Sequence, residues 1–106
     1  MQHTRDQRGE VEVDGETYDW ELRRQPRPTG KGSWEGMAVS LRHRAFKREA
    51  IVQFPMPMRP NGRPDLEKQR VNVEAIRNAV TAAIAAGWDA ASRGKPVVFD
   101  VDADGR

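Results

Sequence analysis

The feature that most constrains this chain is the dipeptide Asp14-Gly15, which lies between two segments where apolar and polar residues alternate. A type I′ hairpin turn needs a positive φ angle at both central residues, and Asp-Gly is one of the pairs that adopt it most readily. A two-residue loop at this point pairs Val13 with Glu16 and Val11 with Tyr18. This pairing puts the apolar side chains on one face of the hairpin, so the turn and the alternation predict the same register.

Two further segments alternate in the same way, at residues 34–42 and 49–54, and each is predicted to be a strand. Proline and glycine mark residues 25–33 as a loop, and residues 43–48 form the next connecting turn. Residues 55–70 contain four prolines and Asn61-Gly62, and they are predicted to be a long loop. The four strands together predict an antiparallel β-meander.

One amphipathic helix is predicted after the long loop. Asn72 is a suitable N-cap, and apolar residues recur at helical spacing from Val73 to Ala91. Gly94 fits the position just after the helix, Pro96 prevents its continuation, and residues 97–101 are predicted to be a short final strand. The apolar faces of the strands and the helix are expected to share one core. The expected core residues are Tyr18, Trp20, Leu22, Met37, Val39, Leu41, Val52, Phe54, Ile76, Val80 and Ile84.

These elements predict the α+β class, with a four-stranded antiparallel β-meander packed on one C-terminal amphipathic helix and a short final strand. The chain has 106 residues, which suits a single domain, and we place that domain at residues 9–102. Residues 1–8 and 103–106 lack apolar anchors and are predicted to be disordered tails. The sequence contains no cysteine and shows neither a signal peptide nor a long apolar run, which favours a cytoplasmic protein without membrane contact.

Charge is distributed unevenly along the chain, although the net charge is only +2. Residues 1–21 carry a net charge of −5, residues 22–70 a net charge of +8 and residues 71–106 a net charge of −1. Fourteen of the eighteen basic residues are arginine, whose planar guanidinium suits phosphate and carboxylate recognition. The middle of the chain is therefore where we expect an anionic partner, either nucleic acid or an acidic protein, to bind.

The meander topology brings the ends of several elements to one edge of the sheet. The second strand ends there, the third strand starts there, the fourth ends there, and the helix begins there with its free N–H groups. We call this the basic edge. Its expected anion-binding residues are Arg23, Arg24, Arg27, Lys31, Arg59, Arg63 and Arg70. Trp34 lies opposite the apolar face of its strand and is a candidate ligand-facing aromatic. The alternative is that these loop arginines are solvated and bind nothing.

The acidic run that follows the final strand, at residues 100–105, is similar to two known motifs. It matches the first six positions of an EF-hand calcium loop, but the sequence offers neither an entering helix nor the bidentate glutamate. The run also resembles the Asp-x-Asp motif of haloacid-dehalogenase-type phosphatases, which would make Asp100 the nucleophile and Asp102 the general acid. The doubly wound sheet of that family is not predicted here. A strand leading into an acidic tail is the alternative.

No other pattern predicts chemistry, so we expect no catalytic residue, no metal site and no cofactor. His43 is predicted to be a solvated turn residue. The expected function is that of a small non-enzymatic binding or accessory domain acting through the basic edge or an exposed strand. The alternative is a nucleic-acid-binding module, although Asp19 and Glu21 on the outward face of the second strand would repel a phosphate backbone. A third candidate is a phosphohydrolase that uses Asp100 and Asp102.

Overall fold

The computed structural model describes residues 8–30, 33–65 and 72–106. Within these residues the chain forms seven strands and one helix. In chain order they are β1 (Arg8–Val13), β2 (Glu16–Arg24), β3 (Arg27–Pro28), β4 (Trp34–Glu35), β5 (Ala38–His43), β6 (Glu49–Gln53), α1 (Val73–Ala85) and β7 (Val97–Asp100). No helix among these residues combines the length and the apolar character needed to cross a bilayer.

The main sheet has five strands in the order β1-β2-β5-β6-β7, and β3 pairs with β4 in a second, two-stranded sheet. Neighbouring strands are antiparallel except β6 and β7, which run parallel. The α+β class, a mostly antiparallel sheet and a C-terminal helix are therefore confirmed. The exact four-stranded meander is not confirmed. β1, β2, β5 and β6 pair antiparallel in chain order, but the β3–β4 pair comes between β2 and β5 in the sequence. The final strand, β7, then adds parallel to β6 after α1 has carried the chain back, so the sheet has five strands and is mixed.

The predicted third strand also differs. Residues 34–42 form two strands, β4 and β5, separated by Gly36 and Met37. β4 turns away to pair with β3, which lies inside the segment predicted as a loop. The apolar alternation of Met37, Val39 and Leu41 begins in this break and continues along β5, and Trp34 of β4 falls on the opposite face.

The first hairpin has the register predicted from the sequence. Val13 pairs with Glu16 and Val11 with Tyr18, and the two turn residues between them have φ angles of 52° and 80°. These positive values are the ones that a type I′ turn requires. The local turn chemistry and the apolar alternation therefore agree with the final structure.

The helix begins as predicted and ends earlier. The Asn72 side chain accepts a hydrogen bond from the Glu74 N–H at 2.8 Å, which caps the first turn. At the other end, the Trp88 N–H donates to the Ala83 carbonyl at 2.9 Å, and Gly87 has a φ of 114°. This is a Schellman cap with Gly87 at the position that the sequence analysis gave to Gly94. The cap turns Trp88 inward, where it is 3% exposed.

The core lies between α1 and one face of the sheet. The predicted core residues are buried or pack against the core, with one exception: Ile84 is 44% exposed, so its predicted burial is wrong. The buried face of α1 is centred on Ile76 and Val80 and on three alanines, at 75, 79 and 83. These small residues allow the helix to pack closely on the sheet, and Ile84 falls to the side of that face.

Residues 102–106 form a turn against the start of α1. The Asp102 carboxylate accepts hydrogen bonds from the N–H groups of Asp104 and Arg106, both at 2.9 Å. Gly105 is buried, and a Cβ atom placed on it would lie 2.1 Å from the Ala75 carbonyl oxygen. Gly105 therefore packs closely against α1, whereas the disorder expected from the sequence for residues 103–106 stays a prediction. Residues 1–7 of the predicted N-terminal tail lie outside the described residues, and Arg8 begins β1.

Candidate functional site

The structure distributes the predicted basic edge over several surfaces. Arg24 and Arg27 lie together beside Glu35, where the two-stranded sheet meets the end of β2. Arg23 projects from the sheet face that α1 does not cover, whereas Arg59 and Arg63 lie in the loop after β6. Lys31 and Arg70 lie outside the described residues.

Arg24, Arg27 and Glu35 form what we call the paired-arginine cluster. The Arg27 Nε donates a hydrogen bond to Glu35 Oε1 at 2.8 Å, and the Arg24 Nη1 lies 3.9 Å from Glu35 Oε2. The Arg24 Nη2 also donates to the Gly36 carbonyl at 2.9 Å. One carboxylate thus faces two guanidinium groups, and the cluster retains one positive charge.

Two irregularities in the strands build this cluster. The pairing of β2 with β5 shifts register between Leu22 and Arg24, and such bulges re-aim the side chains that follow them. Pairing of β3 with β4 then places Arg27 directly opposite Glu35. Arg24 is only 23% exposed, and its Nε is buried without a hydrogen-bond partner. The cluster therefore contains a buried donor that nothing in the described structure satisfies.

A hollow lies on each side of Glu35. The first has a volume of about 270 Å³ and is lined by Arg24, with Phe54 and Asp100 on its other walls. The second has a volume of about 410 Å³ and is lined by Arg27 and Thr29. Each hollow therefore presents one guanidinium, and Asp100 is an acidic wall that an anion in the first hollow would have to avoid.

Glu35 is firmly ionised. The hydrogen bond from Arg27 is the main cause that lowers the pKa of Glu35 below its usual value, and the charges of Arg24 and Arg27 act in the same direction. Glu35 is thus the group with which any external anion must compete for the two guanidinium groups.

The other described arginines of the basic edge are mostly paired. The Arg23 Nη1 lies 3.7 Å from Glu49 Oε2, and the Arg59 Nη2 lies 3.8 Å from Asp65 Oδ1. Arg63 has no ion pair within the described residues; its backbone carbonyl accepts the Arg59 N–H at 2.7 Å. Trp34 is half-buried in β4, opposite Pro28 of β3.

The uncovered face of the main sheet is electrically balanced. It carries a groove of about 510 Å³. The charged residues of the groove are Arg8, Arg23, Arg42, Asp19, Glu21 and Glu49. Ser40 is hydrogen-bonded to Glu49 at its base, and Arg44 beside it binds both Asp19 and Glu10. The groove thus has three basic and three acidic side chains, so it has no excess charge to attract a ligand.

The acidic run at residues 100–105 has a structural use. Backbone hydrogen bonds, first from Arg106 and then from Asp104, lower the pKa of Asp102. A general acid must hold its proton near neutral pH, and these bonds favour the ionised form of Asp102 instead. Within the described residues, no group of three or more His, Cys, Asp or Glu side chains is placed to hold a metal ion.

His43 is not the solvated turn residue that the sequence predicts. Its side chain is 12% exposed and packs against the rings of Tyr18 and Phe46, with centroids 5.2 and 4.8 Å away. Its Nδ1 accepts the Ala45 N–H at 3.0 Å, and its Nε2 bonds Glu16. The reason is the pairing of β5 with β2, which puts His43 opposite Tyr18.

A cleft that the sequence does not predict lies at this end of the sheet. We call it the turn cleft; it is lined by Ala45, Phe46, Lys47, Ala91, Ser92, Arg93 and Gly94. Its two walls are almost fifty residues apart in sequence and neither contains a motif. The only signal was an aromatic residue next to a lysine in a turn without glycine or proline.

Comparison with known proteins gives no further guide. No protein-family model, curated protein or solved structure matches this chain significantly.

Proposed function

We propose that this protein is a non-enzymatic binding domain for an acidic protein segment, and that the paired-arginine cluster holds a carboxylate of that partner. The observation that supports this most directly is that Arg24 and Arg27 share the single carboxylate of Glu35. The cluster already binds one carboxylate and keeps the charge to bind another.

The energetics of the cluster favour exchange. Arg27 is 61% exposed, and ion pairs at such positions contribute little to stability. A partner carboxylate can therefore displace Glu35 from Arg27 at small cost. A buried donor without a partner costs about 1–3 kcal/mol, so an acceptor that reaches the Arg24 Nε would recover part of that free energy.

A carboxylate partner fits the surroundings better than a nucleic acid does. Asp100 lines the hollow next to Arg24, and Glu49 faces Arg23. These acids would repel an extended polyphosphate, which carries a negative charge on each nucleotide. A single carboxylate side chain can bind between them. Repulsion by these acids also makes the expected affinity modest.

The non-enzymatic character is supported by the roles that the reactive groups already have. Asp102 caps the C-terminal turn, His43 is held between Glu16 and the Ala45 N–H, and Ser40 is bonded to Glu49. Each of these groups stabilises the fold through its polar atoms.

The test is a titration of the protein with polyglutamate at low salt, followed by calorimetry. The double variant Arg24→Ala/Arg27→Ala should lose about tenfold or more in affinity, because charge-assisted hydrogen bonds are the strong ones. Arg77→Ala is the matched control, since Arg77 is an exposed arginine that lies 3.9 Å from an acid, Glu74, on the helix. Unchanged polyglutamate binding in the double variant would contradict the proposal. Single-stranded RNA that binds more tightly than polyglutamate, and whose binding is lost in the same double variant, would favour a nucleic-acid-binding module instead.

A further inference from the structure

The turn cleft lies between the β5–β6 turn and the segment that follows α1. Its volume is about 620 Å³, which is in the range of small-molecule sites. Ala45, Ala91 and Gly94 are small residues, which leaves space in the cleft between the larger side chains that line it. The cleft is separate from the paired-arginine cluster, because β5 starts near the cluster and ends at the cleft.

Phe46 provides an aromatic surface in this cleft. One side of its ring packs against the His43 ring, with an interplanar angle of 42°. The residue as a whole is still 42% exposed, so part of the ring is open to solvent. His43 is itself fixed by its bonds to Glu16 and Ala45, so the Phe46 ring is supported from behind. A rigid, half-exposed ring is suited to stacking with a planar ligand.

Two cations flank this aromatic surface. Lys47 and Arg93 line the cleft from opposite walls, and both are exposed. Within the described part of the chain, neither forms an ion pair. The acid nearest to Lys47 in sequence, Glu49, is bonded to Ser40 and Arg23. The acid nearest to Arg93, Asp89, uses its carboxylate to accept the Ala91 N–H at 3.1 Å. The cleft therefore carries positive charge that is available to a ligand.

Arg48 holds the two walls together and acts as a positioning residue. Its Nη1 donates to Ser92 Oγ at 2.7 Å, and Ser92 Oγ in turn donates to the Asp89 carbonyl at 2.7 Å. The Arg48 guanidinium also lies over Gly94, where a Cβ atom would be only 3.4 Å from its central carbon. The segment after the helix is thus clamped to the β5–β6 turn, and the distance between Phe46 and Arg93 is set by the fold.

An aromatic surface beside two cations is complementary to a planar base that carries a phosphate. Bases stack on aromatic side chains whatever their identity, and lysine and arginine neutralise the phosphate. We propose that the turn cleft binds a nucleoside phosphate, with the base stacked on Phe46 and the phosphate between Lys47 and Arg93. The ligand is either a free nucleotide or one nucleotide of a single strand, since both present the same chemistry.

The experiment is isothermal titration of the full chain with four probes: adenosine monophosphate, adenosine, inorganic phosphate and a five-nucleotide single-stranded RNA. Adenosine monophosphate should bind at least fivefold more tightly than adenosine or phosphate, because it combines stacking with charge. RNA binding tighter than that of the mononucleotide would identify a strand as the source, and equal binding would identify a free nucleotide. Both results support the proposed chemistry.

Variants locate the binding. Phe46→Ala and Arg93→Ala should each weaken nucleotide binding at least fivefold, and the exposed substitution Lys47→Glu should do so without involving the packed ring. Met58→Ala and Arg77→Ala are the controls, because Met58 is a similarly exposed apolar residue in another loop and Arg77 is an exposed arginine on α1. Absence of saturable nucleotide binding, or wild-type affinity in both Arg93→Ala and Lys47→Glu, would overturn the proposal. The Arg24→Ala/Arg27→Ala variant should bind nucleotide normally, which separates this test from that of the proposed function.

Discussion

At the end of the sheet where β2 leaves the core, Arg24 and Arg27 converge on Glu35, whereas at the opposite end Lys47 and Arg93 flank a cleft and have no ion pair within the described residues. We call these the loop end and the turn end. The loop end also receives the start of α1 and the C-terminal turn, where Gly105 packs against Ala75.

The comparison shows that the number of basic residues in a segment does not determine the charge available to a ligand. The sequence points to the loop end because arginines are frequent there. In the structure, acids neutralise much of that charge: Glu49, which is distant along the chain, lies against Arg23, and Asp65 of the same loop lies against Arg59. At the turn end, Glu10 and Asp19 pair with Arg44, and Lys47 has no ion pair within residues 8–30, 33–65 and 72–106.

The largest effect should come from Gly105→Ala at the loop end. A Cβ atom there would overlap the Ala75 carbonyl, and the φ of 88° is unfavourable for alanine. We expect a loss of about 2–3 kcal/mol in the free energy of unfolding, measured with urea. Gly62→Ala is the control, because Gly62 has a similar φ of 83° and open space around it.

Equal losses for the two glycine variants would show that backbone strain alone is responsible and that the C-terminal turn does not pack on the helix. Amide exchange provides an independent check. Slow exchange at Gly105 and Arg106 is expected from their hydrogen bonds to Asp102, whereas the tail predicted from the sequence would exchange rapidly.

The next-largest effect is on stability, and it distinguishes an arginine that stabilises the fold from one that is available to a ligand. Arg48→Ala at the turn end removes a partly buried hydrogen bond to Ser92, and we expect it to cost about 1–3 kcal/mol of stability. Arg27→Ala at the loop end removes only an exposed pair and should cost clearly less. Thermal unfolding of the two variants measures the difference in stability. A larger loss of stability for Arg27→Ala would show that Arg27, and not Arg48, is the arginine that stabilises the fold.

A smaller effect concerns affinity. Glu35→Gln removes the internal competitor of the paired-arginine cluster, so polyglutamate should bind about threefold more tightly. The same variant should leave nucleotide binding at the turn cleft unchanged. Calorimetry with both probes measures this independence, which fails if Glu35→Gln alters the two affinities together.

The smallest effect is a pH dependence at the loop end. Because the pKa of folded Glu35 is lowered, its ionised form stabilises the fold at pH values above the unfolded pKa of about 4.3. That contribution is lost as the pH falls through the lower folded pKa. The stability difference between the wild type and Glu35→Gln should therefore shrink between about pH 5 and pH 3. A difference that grows on acidification would show that the pKa of Glu35 is raised.

The elements predicted most accurately are those controlled by neighbouring residues. The Asp14-Gly15 turn determines a register that extends through both strands, and Asn72 determines where α1 begins. The predicted end of the helix was wrong because Gly87 and Gly94 can each terminate a helix. The choice of Gly87 depends on the burial of Trp88, which sequence spacing does not show.

For the candidate site, the sequence identified Arg24 and Arg27 but not their shared partner. Glu35 approaches them because β3 and β4 pair and because β2 has a bulge before Arg24. The turn cleft was not predicted, since its walls come from residues 45–47 and 91–94 and meet only when the segment after α1 packs against the β5–β6 turn.

By itself the sequence determined the α+β class, the first hairpin and the start of the helix, because turn geometry, capping and side-chain alternation act over a few residues. The tertiary structure alone decided the parallel addition of β7, the exposure of Ile84, the burial of most of the His43 side chain and the choice of which arginines are paired with acids. These features depend on which distant segments become neighbours. Burial and ion pairing depend on these contacts between distant segments, and local sequence preferences do not predict such contacts.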